Sequence, residues 1–291
     1  MKRKTRFIET TLLSVSLFFA LTSPSIGQSS AKSPSPGSKA AYTLAVVPQF
    51  PPVEIHKRWI PFVEGLSKEL GVNIQLKAYR SFHEFENDLK NGVPDFAYMN
   101  PYQVVVARKA QGYIPLIRDK KLVKAVIFVH KDSPIHSLQD LNNKEIAFVA
   151  PKTICSIVLR RELSTRKENI HFTPQFAGTA SNVYRNVILG KIPAGGTLDS
   201  PLNREPSEVR EQLRTVYETP PMASHPIIAH PRVPESVRHA VISAILRFYG
   251  DKANRDMLSG IQMPDPVSAD YQKDYMPLES LGLEKYLIGG D

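Results

Sequence analysis

The chain has 291 residues, a hydrophobic fraction of 42% and a formal charge of +9. That length predicts roughly two units of ordinary domain size, and that hydrophobic fraction supplies a proper core, which excludes a disordered chain. A single cysteine, Cys155, excludes an internal disulfide, and basic residues scattered without an aromatic stripe exclude a nucleic-acid surface.

The first residues read as a targeting segment. Lys2, Arg3, Lys4 and Arg6 form a basic start, Leu12 to Leu21 a short apolar run, and Ser25 and Gly27 the small pair that a signal peptidase requires. The expected signal peptide is residues 1–27. Its apolar run is shorter than the ~20 residues of a membrane span. No cysteine follows the cleavage point, so the expected product is exported and is not a lipoprotein. The leader accounts for three of the nine charges, and the remaining +6 suits an anionic ligand or an anionic lipid surface. Residues 28–41, rich in Ser and Pro, read as a flexible linker.

Thr43 to Val47 predicts a strand that ends in the stiff loop Pro48-Gln49-Phe50-Pro51-Pro52. A helix follows, with Trp59, Phe62, Val63, Leu66 and Leu70 at helical spacing and Gly71 to stop it. Ile74 to Ala78 alternates as a strand, and Phe82, Phe85 and Leu89 mark the buried side of a second helix. Asn91-Gly92 ends that helix, both residues tolerating the left-handed conformation required. Phe96 to Met99 is apolar enough for a buried strand, which Asn100-Pro101 breaks before a helical pattern from Tyr102 to Ala110. Strand and helix alternate as in a doubly wound α/β domain, where ligands bind at the carboxyl ends of strands. Tyr98, Asn100 and Tyr102 fall at such an end.

Ile114 to Ile117 and Lys124 to His130 predict two more strands, and Asp132-Ser133-Pro134-Ile135 turns the chain. Ser137 is expected to cap a short helix holding Leu138 and Leu141. Glu145 to Val149 is a strand leading into Ala150-Pro151-Lys152-Thr153-Ile154-Cys155-Ser156 and a helix with Ile157, Val158 and Leu163. His171 to Phe176 is a strand and Asn182 to Leu189 a helix stopped by Gly190. Ile192 to Thr197 then runs from strand to loop, laid out like Val93 to Pro101, so two lobes of similar architecture are expected. Arg214 to Tyr217 and Ile227 to His230 are extended, and Val237, Val241, Ile245 and Phe248 mark a last helix. The tail from Pro264 is irregular, with Tyr271, Tyr275 and Tyr286 available for packing.

Several of these stretches carry a resemblance. They are Pro94 to Tyr98, Lys131 to Leu141, Ala150-Pro151, Phe176 to Thr179, Gly190 to Gly195 and His225-Pro226-Ile227. In order and spacing the chain, from Tyr42 to Ile261, resembles the PhnD-type phosphate/phosphite/phosphonate-binding proteins of ABC importers, which are type II periplasmic binding proteins. The resemblance implies an α/β fold of two lobes, each a mixed, mostly parallel sheet flanked by helices. Two crossover strands, near Ala125 to His130 and near Pro226 to His230, would join the lobes. Residues 42–124 plus 230–262 would form lobe one and 125–229 lobe two, with 263–291 as a tail packed on the surface. The function implied is that of a periplasmic solute-binding protein, a monomer and no enzyme, that captures a small oxyanion between its lobes. It would hand this ligand to an inner-membrane ABC permease or to a membrane sensor kinase, without cofactor or metal.

The anion site of the family is the amino end of the helix after a Pro-containing loop, where N–H groups and the helix dipole favour a phosphonate. The matching loop here is Lys152 to Ser156. Thr153 keeps a hydroxyl, Ile154 and Cys155 replace hydroxyls of the best-known members, and Lys152 supplies a charge. The resemblance implies ligand contacts from Gln49, Tyr98, Asn100, Thr153, Cys155, Ser156, Thr179, Gly196, Thr197 and His225. His225 stands where aminoalkylphosphonate binders hold a carboxylate, and Asp199 is a loose match for a second one. A protonated imidazole repels an ammonium and donates to an oxyanion, so a simpler oxyanion is expected, held more tightly as pH falls through about 6.5. The competing readings are His225 as a hinge residue, or an enzyme with Cys155 as nucleophile at a helix start and His225 as its base. The sequence contains no Cys/His cluster with metal spacing, no Walker loop and no dinucleotide fingerprint.

Overall fold

The computed structural model describes residues 41–166 and 170–287. The expected signal peptide, and the linker except Ala41, lie outside the described residues.

The first lobe opens with β1 (Ala41–Val46), α1 (Pro52–Leu70), β2 (Asn73–Ala78) and α2 (Phe82–Lys90). It continues with β3 (Phe96–Tyr98), α3 (Pro101–Gln111) and β4 (Ile114–Asp119). Proline opens α1 and α3 at no hydrogen-bonding cost, because the first N–H groups of a helix have no intrahelical acceptor. α1 stops at Gly71 (φ 66°), whose N–H returns to the carbonyls of Ser67 and Lys68. At the end of α2 Asn91 stays at φ −88°, and Gly92 alone takes the left-handed conformation. Asn100 starts α3 with a reciprocal cap. Its Oδ1 accepts from the Gln103 N–H at 2.9 Å, and Gln103 Oε1 accepts from the Asn100 N–H at 3.1 Å.

The second lobe holds β5 (Ala125–His130), β6 (Lys144–Phe148), α4 (Ile154–Thr165), β7 (Phe172–Phe176) and α5 (Ala180–Ile188). β8 (Ala194–Leu198), the single turns α6 (Asp199–Leu202) and α7 (Ser207–Arg210), and β9 (Leu213–Glu218) follow. The chain then returns through β10 (Pro226–Ala229), α8 (Glu235–Gly250), α9 (Arg255–Gly260) and β11 (Pro266–Ser268). Ser137 caps no helix. The Asp140 carboxylate takes the N–H groups of His136 and Ser137 and the Ser137 hydroxyl, and only a 3-10 turn forms over Gln139–Leu141. The Ser137 hydroxyl is thereby a donor to a carboxylate, a charge-assisted bond stronger than the cap it would make.

Among the described residues the strands form two sheets, ordered β11-β4-β10-β3-β1-β2 and β7-β6-β8-β5-β9. In each, three strands are parallel neighbours: β2, β1 and β3 in the first, β7, β6 and β8 in the second. β10 and the edge strand β11 run against their neighbours in the first sheet, and β5 does so in the second. The fold is thus α/β, with two mixed sheets flanked by helices. Because β10 is antiparallel, its amino end lies beside the carboxyl ends of β3 and β4.

The chain passes between the sheets along residues 120–124 and back along 219–225. These two segments pair with each other. Val123 and Met222 exchange backbone hydrogen bonds of 2.9 Å, and the Ala125 N–H donates to Thr219 Oγ1 at 3.0 Å. β5 therefore belongs wholly to the second sheet and β10 wholly to the first, each crossing lying just before the strand. We propose a lobe one that takes in Pro226–Ala229, which the resemblance assigned to lobe two.

The tail makes a third link. Tyr275 is buried and donates to the Ser224 carbonyl at 3.1 Å, beside the second crossing. Further on, Leu278 and Leu283 enter one apolar cluster with β5, β6 and α4, and Tyr102 and Val105 of α3 enter it too. Arg160 of α4 donates to the carbonyls of Pro151 and Tyr286, which ties the loop before α4 to the tail.

In β8, Gly195 and Gly196 sit where no side chain fits. A Cβ on Gly195 would lie 2.6 Å from the Phe128 ring and 2.7 Å from Val183; on Gly196 it would lie 2.7 Å from Phe148 and 2.8 Å from Leu159. Gly195→Ala and Gly196→Ala are each expected to cost about 1–3 kcal/mol through overpacking. Urea unfolding would show this as a lower midpoint at unchanged slope.

Candidate functional site

The two sheets present their strand ends to one cavity of about 720 Å³. The first lobe contributes Val47 to Pro52 after β1, Arg80 and Phe82 after β2, Tyr98 and Asn100 around the end of β3, and Ser224 and His225 before β10. The second contributes Val149 and Ala150 after β6, Thr153 to Cys155 at the start of α4, Gly178 to Ser181 at the start of α5, and residues after β8 that include Arg204. The parallel strands of both lobes thus converge their carboxyl ends, the edge where α/β sheets bind ligands.

On the first-lobe wall Tyr98 stands between two rings, tilted against Trp59 behind the wall and stacked on His225. Tyr98 lies 4.8 Å from Trp59 and 5.6 Å from His225 between ring centroids, the latter pair nearly parallel at 28°. Gln262, held at φ 64°, accepts from Gln49 Nε2 at 3.3 Å and from the Tyr98 hydroxyl at 3.4 Å. Burial pushes the Tyr98 phenol far up, so it stays a neutral donor. Burial also pushes His225 down to about 4, and among the described residues no hydrogen-bond partner meets its ring nitrogens. The imidazole is therefore neutral near pH 7. The expected repulsion of an ammonium by a charged His225, and an affinity change centred near 6.5, do not fit this environment, because desolvation disfavours the charged ring.

On the second-lobe wall, α4 begins without a side-chain cap. Thr153 turns its hydroxyl to the Ala150 carbonyl at 3.0 Å and to Ser156 Oγ at 2.8 Å. The first N–H groups of α4 are thus left without a capping oxygen, beside a cavity that Thr153, Ile154 and Cys155 line. Burial pushes the Cys155 thiol up, and the Thr153 hydroxyl at 3.3 Å and nearby N–H groups offset only part of that. A nucleophile needs the opposite shift.

Of the expected contacts, Gln49, Tyr98, Asn100, Thr153, Cys155, Thr179, Thr197 and His225 line the cavity. Ser156 and Gly196 do not. Ser156 is fully buried behind Thr153 and orients its hydroxyl, while Gly196 is filled against Phe148 and Leu159. Thr179 caps α5 by accepting from the Asn182 N–H at 3.2 Å, and the Thr197 hydroxyl donates to the Leu198 carbonyl at 3.0 Å. Lys152 turns away to the other lobe and pairs with Glu86 at 3.5 Å, and its carbonyl meets the Asn100 amide at 3.5 Å. Asp199 is absent from the wall. Its carboxylate accepts from the Lys124 N–H at 3.0 Å and braces the first crossing.

Sequence reasoning missed Arg58, Arg80, Arg204 and Gln262, all of which line the cavity. Arg80 carried a usable signal, since it directly follows a predicted strand in the same position relative to the sheet as Asn100. Arg204 and Gln262 carried none, lying in stretches without periodicity. Among the described residues Glu205 is the only carboxylate in the wall, and no group of three or more His, Cys, Asp or Glu is placed to hold a metal ion.

Comparison with known proteins agrees with this architecture. Residues 44–275 match the family described as the periplasmic substrate-binding protein of phosphonate ABC transporters. No curated protein matches the chain. Among solved structures, PhnD1 from Prochlorococcus marinus in complex with methylphosphonate is similar at TM-score 0.73 and 18% identity, over 85% of this chain and 99% of that one. A binding protein component of an ABC phosphonate transporter from Pseudomonas aeruginosa reaches TM-score 0.69 at 12% identity, over 85% of this chain and 87% of that one. A Xanthomonas citri protein, XAC2383, bound to chloride reaches 0.68 at 15% identity, over 85% and 96%. At these identities the structures share the fold, and the family match adds the class. The chain belongs to the periplasmic substrate-binding proteins of phosphonate ABC transporters.

Proposed function

We propose that this chain is exported, captures a phosphonate-type oxyanion at the amino end of α4 and delivers it, as a monomer, to an inner-membrane ABC permease. The observation that carries this reading is the start of α4, without a side-chain cap, opening on an interlobe cavity. N–H groups without a capping oxygen, aligned with the positive end of a helix dipole, favour a compact anion. The ligand contacts proposed are the Thr153 hydroxyl and the N–H groups that follow it, with Cys155, Thr179 and Thr197 on the same lobe. Gln49, Tyr98, Asn100 and His225 close on the ligand from the other. The neutral His225 ring, stacked on Tyr98 and without a hydrogen-bond partner among the described residues, donates one N–H to an oxygen of the ligand.

A ligand that binds only the folded chain raises its stability by about 2.7 kcal/mol at a hundred times its Kd. Thermal shift measurements with methylphosphonate, phosphite, phosphate, sulfate and 2-aminoethylphosphonate are expected to show an upward shift with at least one of the first three. The amine-bearing compound is expected to give less, since among the described residues Glu205 is the only carboxylate of the wall to take its ammonium. No shift with any of these oxyanions would overturn the reading. A shift largest with 2-aminoethylphosphonate would overturn the exclusion of the amine.

A further inference from the structure

Two arginines in the cleft stand unused by the oxyanion site. Arg80 follows β2 on one lobe and Arg204 follows α6 on the other, and both line the cavity. The third guanidinium of the wall, Arg58, is engaged. It pairs with Glu54 at 2.7 Å and lies over the Phe50 ring at 4.5 Å. No carboxylate pairs with Arg80 or Arg204 among the described residues, and Arg204 spends only its Nε, on the Ser200 carbonyl at 3.1 Å.

The cavity is also larger than a bare oxyanion needs. Its volume of about 720 Å³ falls among sites for ligands of drug size, about 300–1,000 Å³. Its wall includes Phe50, Phe82, Leu198 and Pro201, side chains that offer nothing to an inorganic anion and cover a carbon chain well.

We infer that the ligand is an organophosphonate carrying a second anionic group on a short carbon chain, an assignment that rests on the oxyanion site at α4 proposed above. The phosphonyl group sits at the start of α4, the carbon chain lies along the apolar wall, and Arg80 and Arg204 hold the second anion from opposite lobes. Guanidinium groups bind carboxylate or phosphoryl oxygens through paired, charge-assisted hydrogen bonds. The same two charges repel a terminal ammonium, which excludes an aminoalkyl chain without requiring a charged His225.

Calorimetry on the full chain with methylphosphonate, propylphosphonate and 3-phosphonopropionate separates the parts. Propylphosphonate matches the length of the last compound and lacks its carboxylate. The expected result is that 3-phosphonopropionate binds on the order of tenfold or more tighter than propylphosphonate, the worth of a hydrogen bond to a charged group. Arg80→Gln and Arg204→Gln are each expected to shrink that ratio, and the double variant to bring it close to one. Both side chains belong to exposed residues, and circular dichroism checks that the variants fold. Equal affinities for the two compounds, or a ratio that survives the double variant, overturn this inference. Methylphosphonate binding in that same experiment would leave the oxyanion site standing. If none of the three phosphonates binds, both readings fall.

Discussion

Asp274→Ala is expected to lower the unfolding free energy by about 3–5 kcal/mol, because it strands a buried guanidinium. Arg118 of β4 and Asp274 of the tail are 9% and 5% exposed and meet at 2.9 Å. Arg118 Nη1 also donates to the Asp119 carbonyl at 2.9 Å, while its Nε is buried without a partner. The site therefore has little spare solvation for an uncompensated charge. Asp274 further accepts from the Asp270 N–H at 2.9 Å, so the same change loosens the turn that leads the tail toward the second lobe. Replacing both residues by apolar ones of similar size should recover most of the loss, since the pair as a whole gains little over good packing. Burial by itself would raise the Asp274 pKa, but the Arg118 guanidinium and the Asp270 N–H more than offset it, and the net shift is downward. This stabilisation is present in full above the ordinary carboxylate value and is lost as pH falls through the lower, folded one. Urea unfolding of the parent and both variants is the measurement. A loss below about 1 kcal/mol for Asp274→Ala would mean that the pair behaves like a surface ion pair.

The second large effect concerns His225. With its folded pKa at about 4 and an ordinary value of 6.5, the unfolded chain binds the proton more readily than the folded one. Stability from this group is intact above the unfolded value and falls as pH drops from 6.5 to 4. Each tenfold difference in proton affinity is worth about 1.4 kcal/mol, so the full loss is between about 2 and 3 kcal/mol, once solvent in the open cleft is allowed for. His225→Gln should remove that acid-side loss, so the stability of parent and variant, compared from pH 7 to pH 4, should converge or cross. A gap that stays constant over that range would show that the ring titrates as it does in water. The ligand adds a linked effect. A bound oxyanion favours the protonated ring and raises its pKa, so affinity should strengthen as pH falls toward 4, below the window that sequence alone suggested. A sulfonate that binds is the clean probe, because it keeps one charge throughout, and the Gln variant should show a flat profile.

These two residues both lie close to the crossings between the sheets. Asp274 anchors the tail beside the second crossing, and Tyr102 and Val105 of α3 share an apolar cluster with the second lobe on that side. His225 directly follows that crossing segment's Ser224, whose hydroxyl donates to the Asp119 carbonyl at 2.9 Å. A ligand contact at His225 is thus one residue from the hydrogen bonds that link the two passages of the chain.

Much of the fold was legible because its signals are local. Trp59, Phe62, Val63 and Leu66 at helical spacing, Gly71 at a left-handed turn, and Asn100-Pro101 at the end of a buried strand each report on residues within a turn or two of themselves. The expected strand ends put Gln49, Tyr98, Asn100, Thr153, Thr179 and Thr197 near a common edge for the same reason, since the carboxyl end of a parallel strand is set by chain order. What the local pattern does not carry is which strand lies beside which, and what surrounds a side chain. The place of Pro226–Ala229 in the first sheet depends on pairing with β3 and β4, more than a hundred residues earlier. β11 escaped notice because its three residues, one of them a proline, make a strand only against the edge of β4. Ser137 became a donor to Asp140 in place of a cap, an outcome decided by how the turn folds. The neutral state of His225 rests on burial, and the presence of Arg80 and Arg204 in one cavity wall rests on which strand ends the fold brings together. Periodicity, caps and turns therefore determined the elements and the lobed architecture. Desolvation and charge, which act through space between segments far apart in the chain, were decided by the tertiary structure alone.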